Sequence, residues 1–249
     1  MPDCFGFGFA LPSLAHHAGF RGFHSQKLSW GSAAYDNLPA YGRWQGVDGS
    51  IIYAIHKPGP YDAHEEFNCD LTESSEILNK INDVQKKTNI PMKVSYVGPR
   101  GDRGGALQDN PDKEGEDTPY WLSYSAGKKG GKVNVILATP DSIFRYLDSH
   151  GGDNLPLWKS ELPMRSHGVG SYTSKGALKR WNRSNELPAD AAEQASSVAQ
   201  WLGARPYPQE SLNEAWFRTL WQNHHDGITG TSIPKADEIS YTEYYLATK

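Results

Sequence analysis

Cysteine is scarce: Cys4 and Cys69 are the only two in 249 residues. That excludes a disulfide framework and any Cys-x-x-Cys metal site. No run of about 18 apolar residues occurs, so neither a transmembrane helix nor a membrane partner is expected. Basic charge is not in excess, with 25 Lys and Arg against 29 Asp and Glu and a formal net charge of −4. Beyond short pairs such as Lys128-Lys129 there is no clustered basic face, which argues against nucleic acid as a partner. The opening stretch MPDCFGFGFALP has neither the charged n-region nor the cleavable h-region of a signal peptide, and no internal repeat is visible. What is present describes a globular chain. Hydrophobic residues make up 37% and charged residues 22%, too apolar for disorder, and the length suits one large or two small domains. Eight Trp and thirteen Tyr serve packing and also suit the stacking of aromatic faces on sugar rings.

Residues 1–160 alternate strand-like and helix-like pieces. LPSLAHHAGF (11–20) reads as a short helix, with Pro12 in its first turn and Gly19 at its end. GFHSQKLSW (22–30) reads as a strand, and SIIYAIHK (50–57) as another, introduced by the turn Val47-Asp48-Gly49-Ser50. Ile77, Leu78, Ile81 and Val84 recur at helical spacing over 73–87, a helix that stops before Pro91. Strands are expected over 91–98 and 132–139, and a helix over 141–150 with Asp141 as N-cap. Between them the Gly-, Asp- and Pro-rich residues 99–119 are expected to form a long loop, a feature that in compact domains is commonly functional or disordered. Such alternation predicts a parallel α/β sheet or barrel. From residue 165 onward the pattern turns helical: 171–203 with a break or bend at Pro188, then SLNEAWFRTLWQN with Leu212, Ala215, Trp216, Thr219 and Leu220 on one stripe, then 235–248. Short connections between them suggest a helical bundle.

Three places carry residues suited to chemistry. Asp3, in PDCFGFG, is a carboxylate before a Gly-aromatic turn; taken alone it reads first as an ordinary turn cap. His224, His225 and Asp226 follow an amphipathic helix and precede a Gly-Thr-rich loop. Imidazoles and a carboxylate in that order suit a metal ion or a substrate, or a solvated helix end favourable to His⁺. The third is GPRGDRGG (98–105), which lacks the spacing of a phosphate loop. It carries Asp102 past a strand end, where barrel enzymes keep catalytic side chains. His16, His17 and His24 surround one short helix but point differently, and His64 with Glu65 and Glu66 reads as a solvated loop; neither group is expected to hold a metal.

These places fall in a familiar order. PDCFGFGFALPSLAHHAGFRGFHSQKLSW resembles the segment of family 38 α-mannosidases in which an aspartate and Phe-Gly lead through Leu-Pro to a Gln-Lys strand. WQGVDGSIIYAI is similar to the family's Trp-x-Gly-x-Asp-Gly-Ser strand, and GPRGDRGG to its Gly-Asp loop. HGVGSYTSKGALKRWNR resembles its His-x-Gly-x-x-Thr-Ser helix start, and WQNHHDGITGTSIP its His-His-Asp-x-x-x-Gly-Thr motif. The resemblance covers most of residues 1–240. It implies an α/β fold, a seven-stranded parallel β/α barrel followed by a three-helix bundle, here incomplete: residues 1–164 part of the barrel, 165–249 the bundle. It implies one Zn²⁺ and a retaining hydrolysis of terminal α-mannosides or glycans. Asp3 matches the aspartate that is both nucleophile and metal ligand, and His225 the ligating histidine. Asp226, His224 and Lys27 match positions near the substrate, and a cation at Lys27 would keep Asp3 ionised. Asp102 matches the general acid/base, although Arg103 follows it where some members have a second acid.

The resemblance also implies an upstream His-x-Asp pair with two further ligands, and nothing before Asp3 supplies it. The expectation is therefore a fragment with two of four ligands, inactive alone. The alternatives are another zinc-dependent carbohydrate hydrolase such as a deacetylase, or a non-catalytic carbohydrate-binding remnant.

Overall fold

A computed structural model of the chain describes residues 3–30, 33–58, 69–96 and 118–249. The Gly-rich 98–105 segment with Asp102, most of the 99–119 loop, and His64 with its two glutamates lie outside the described residues. The chain divides into two compact units, Met1–His167 and Gly168–Lys249.

The first unit is mixed α/β. Helix α1 (Leu11–His17) has Pro12 in its first turn, and Gly19 beyond its end takes φ +82°, the left-handed conformation a glycine adopts without cost. Strand β1 (Gly22–His24) follows, shorter than the expected 22–30. The chain instead closes into a 3₁₀ turn over Lys27–Trp30, where the Ser29 N–H returns to the Gln26 carbonyl. β2 (Tyr41–Gln45) and β3 (Ile51–Ile55) make an antiparallel hairpin, with Trp44 opposite Ile52. Helices α2 (Ser75–Thr88), α3 (Thr118–Gly127) and α4 (Pro140–Ser149) and a short β4 (Leu157–Trp158) follow among the described residues.

The sheet runs β1-β3-β2-β4. Both outer pairings are parallel and the central hairpin antiparallel, so the expected all-parallel sheet is, among the described residues, a mixed one. Gly42, Arg43 and Gln45 dilute the apolar signal of β2, so its sequence does not mark it as a strand. The strand expected over 91–98 is not formed in its described part, because the Val94 N–H donates to the Tyr41 hydroxyl at 2.8 Å rather than to a neighbouring strand. Nor is 132–139 a strand: the Lys132 and Val133 N–H groups both turn to the Thr72 carbonyl.

Side-chain alternation gives the sheet two apolar faces. One buries Phe23, Trp44, Ile52 and Ala54 with Phe5, Phe7, Leu28, Leu162 and Met164. Phe23 there meets Phe7 and Trp44 edge to face at 4.7 and 5.2 Å. The other carries Tyr41, Tyr53 and Ile55 against Phe144 and Leu147 of α4, with Val84 of α2 at its margin. α2 begins on Ser74, whose hydroxyl accepts from the Ile77 N–H, and ends on Asn89 in the left-handed region. α4 is capped by Thr139; Asp141, the expected cap, lies inside the first turn and pairs with Arg145 at 2.6 Å.

The second unit consists of α5 (Gly176–Trp201), α6 (Gln209–Trp221) and α7 (Pro234–Ala247), each packed on the other two. α5 runs unbroken through Pro188. The carbonyl that a proline leaves without its helical donor is that of Ser184, and both residues are exposed, so water can serve it. On α6, Leu212 and Thr219 are buried and Ala215 and Trp216 half-buried, as the stripe predicts, but Leu220 faces outward. No helix among the described residues is long and apolar enough to cross a membrane.

Candidate active site

Asp3 sits just ahead of Phe5 and Phe7, two aromatics of the first core. A β-bridge between Phe7 and Leu162 fixes that stretch, with N–H to carbonyl bonds of 3.0 and 2.8 Å in the two directions. The Asp3 carboxylate lies 2.5 Å from Lys27 Nζ, and the side chains are 19% and 4% exposed. Lys27 Nζ also stands 5.7 Å from the Phe5 ring centroid. A lysine so enclosed requires a carboxylate partner, and the 3₁₀ turn that ends β1 presents it. Burial raises the pKa of the neighbouring Cys4 thiol.

More polar atoms collect at this end of the sheet. Ser25 and Gln26, between β1 and Lys27, are wholly buried. Neither the Ser25 hydroxyl nor either Gln26 amide atom has a partner among the described residues. One position past β3, His56 donates its Nδ1 hydrogen to the Pro39 carbonyl at 2.8 Å, which leaves Nε2 as a buried lone pair. Burial lowers its pKa to about 4. Sequence reasoning missed these three, because alternation marks a strand end but not which polar side chains it encloses.

His224, His225 and Asp226 occupy the turn that follows α6. One donor atom from each lies within 4.8 Å of the others. The His224 and His225 rings are 4.1 Å apart, and His225 Nε2 is 3.7 Å from Asp226 Oδ2. The Asp226 N–H donates to His224 Nδ1 at 3.2 Å, so the neutral His224 ring carries its hydrogen on Nε2. Thr229 donates its hydroxyl to the His225 carbonyl, and Thr231 donates to Asp226 Oδ1 at 2.9 Å. Gly227 is required here: a Cβ would lie 2.7 Å from the Gln222 carbonyl oxygen. Two imidazoles and a carboxylate are donors of the right kind for a divalent ion. Around tetrahedral zinc, ligand atoms stand roughly 3.3 Å apart, so modest rotamer changes would close the observed spacing. The sequence-predicted residues thus form two groups, Asp3 with Lys27 in the first unit and His224, His225 and Asp226 in the second.

The model of the glycosyl hydrolases family 38 N-terminal domain matches residues 1–161. The chain belongs to glycosyl hydrolase family 38. Residues 169–249 of this family 38 chain match the alpha mannosidase middle domain. It is 29% identical over 246 residues to human Alpha-mannosidase 2C1, covering 98% of this chain and 22% of the relative. To Alpha-mannosidase G of Dictyostelium discoideum it is 28% identical over 238 residues, covering 94% and 20%. It therefore spans about a fifth of the length of the curated relatives it matches. The crystal structure of an alpha-mannosidase from Enterococcus faecalis V583 superposes with a TM-score of 0.59 at 16% identity, covering 99% of this chain and 27% of that one; this likeness is one of fold. The family read from five ordered motifs is borne out.

Proposed function

We propose that this family 38 chain is the part of a longer α-mannosidase that carries its nucleophile and one histidine ligand of its metal ion. In that reading the first unit is part of a seven-stranded parallel barrel and the second a three-helix bundle, divided near residue 164. The observation that carries it is the Asp3–Lys27 pair, a carboxylate held by an enclosed cation 2.5 Å away. A retaining glycosidase needs an ionised carboxylate on the face opposite the leaving group, with a second carboxyl roughly 5–5.5 Å away as acid and then base. Asp3 takes the first role, and Lys27 favours its charged form. Asp102 takes the second: it protonates the departing glycosidic oxygen, then draws a proton from the water that releases the sugar. Asp226 and His224 orient hydroxyls of the mannose.

Asp3 and His225 are the ligands this chain offers to zinc. When bound, zinc polarises and orients vicinal hydroxyls of the sugar. The matches to a family 38 N-terminal domain over 1–161 and to an alpha mannosidase middle domain over 169–249 favour this reading over a deacetylase. The test is to follow mannoside hydrolysis by the parent enzyme by proton NMR and to label it with a fluorinated mannosyl fluoride. The α-anomer of mannose should appear first, with the label on Asp3. First appearance of the β-anomer, or a label on another carboxylate, would overturn the proposal.

A further inference from the structure

The His224–His225–Asp226 turn is gripped at both ends by α5. At its start, Asn223 Nδ2 donates to Asn182 Oδ1 at 3.2 Å. At its end, Lys179 Nζ donates to the Ile228 carbonyl at 2.8 Å. Lys179 and Asn182 are three residues apart on one helix and so share a face. Between their two contacts lie only His224, His225, Asp226 and Gly227.

Both gripping side chains are themselves held. Asn182 is 7% exposed; its Oδ1 also accepts from the Tyr244 hydroxyl, and its Nδ2 donates to Glu186 at 2.6 Å. The Glu186 carboxylate can only accept, which fixes the orientation of the Asn182 amide. Lys179 donates a second bond, 2.5 Å, to the Ser174 carbonyl. Among the described residues it has no carboxylate partner, so its ammonium serves two backbone carbonyls, one on each side of the junction between α5 and the turn. Next to this grip, the Ser240 hydroxyl donates to Gln222 Oε1 at 2.7 Å and ties α7 to the residue before Asn223.

We infer that Lys179 and Asn182 are positioning residues that clamp the turn in the shape that can hold a divalent ion. The inference rests on His225 being a metal ligand. Outer residues that orient metal ligands commonly change metal affinity by about 10–100-fold, and a clamp on the turn's backbone belongs at the lower end. The closing experiment titrates Zn²⁺ into the purified chain and follows the imidazole resonances of His224 and His225. Melting temperature and amide exchange of residues 223–231 are recorded alongside.

Lys179→Met and Asn182→Leu should each weaken Zn²⁺ binding by about tenfold and speed amide exchange in the turn, whereas Lys179→Arg recovers most of both. Arg218→Met, which breaks the 2.5 Å pair with Glu243 between α6 and α7, should lower the melting temperature and leave the affinity alone. Should Lys179→Met not fold, Lys179→Gln carries the same comparison. Wild-type Zn²⁺ affinity in the Lys179 and Asn182 variants, with binding lost in His225→Ala, would overturn the clamp and leave the ligand assignment standing. Unchanged binding in His225→Ala would overturn the assignment, and unchanged exchange in the turn would then overturn the clamp as well.

Discussion

Lys27 is a cation that the fold encloses because Asp3 is beside it. Replacing it by Met leaves a carboxylate facing apolar atoms. Breaking such a pair from one side costs about 3 kcal/mol or more, measurable as a loss of unfolding free energy in urea, and Lys27→Arg should restore most of it. His24 and His56 show the opposite effect. Burial is the main cause that lowers each from 6.5 to about 4. Because their folded pKa lies below the unfolded one, the unfolded chain binds the extra protons first. Stability is therefore full above 6.5 and falls as pH drops from there toward 4. His56→Asn, whose amide can still donate to Pro39, should flatten that slope in unfolding free energies measured across the range. Asp3 and Lys27 were legible because a motif fixes their type and order. Ser25, Gln26 and His56 were not, since being enclosed depends on residues far along the chain.

At the level of elements, α1 is locked to the β2–β3 hairpin through Asp48. Its carboxylate accepts from Ser13 at 2.5 Å, from the Ser50 N–H at 2.9 Å, and pairs with His17 at 2.7 Å. The bonds from Ser13, the Ser50 backbone and His17 hold Asp48 well below its ordinary value of 3.8. A depressed carboxylate contributes stability above its unfolded pKa and loses it as pH falls toward the folded one, so this lock weakens only below 3.8. Melting curves of wild type and Asp48→Asn should differ above that pH and converge beneath it. Gly46 brings the hairpin close: a Cβ there would lie 2.6 Å from the Ser13 nitrogen. Gly46→Ala should therefore destabilise by about 1–3 kcal/mol, read as a drop in urea midpoint. α2, α4, α6 and α7 were legible to within two residues because their apolar spacing, caps and prolines are local, whereas α1 and α5 are shorter than expected and the sequence does not mark α3. The strands were legible less well. β2 is pinned by partners on both sides rather than by its own composition, and 132–139 has β-branched residues whose N–H groups are drawn to Thr72.

The whole molecule exposes large apolar side chains on its second unit. Trp201 is 85% exposed, Trp221 68% and Phe217 62%, beyond the scattered exposure usual for a soluble surface. The purified chain is expected to self-associate, with light scattering rising with concentration, and Trp221→Gln should lessen the rise. On the proposed ligand pair of Asp3 and His225 it is also expected to release no nitrophenol from an aryl α-mannoside, because catalytic sites use at least three protein ligands. Turnover with stoichiometric zinc would overturn that. The bridge between Phe7 and Leu162 bears on how the site is made. Leu162, which anchors the stretch behind Asp3, is added long after it, almost at the end of the first unit. At ribosomal speed that interval is on the order of ten seconds. During it the Asp3 carboxylate lacks that anchor, and ribosome stalling between Asp3 and Leu162 would yield chains that contain Asp3 without the bridge that seats it.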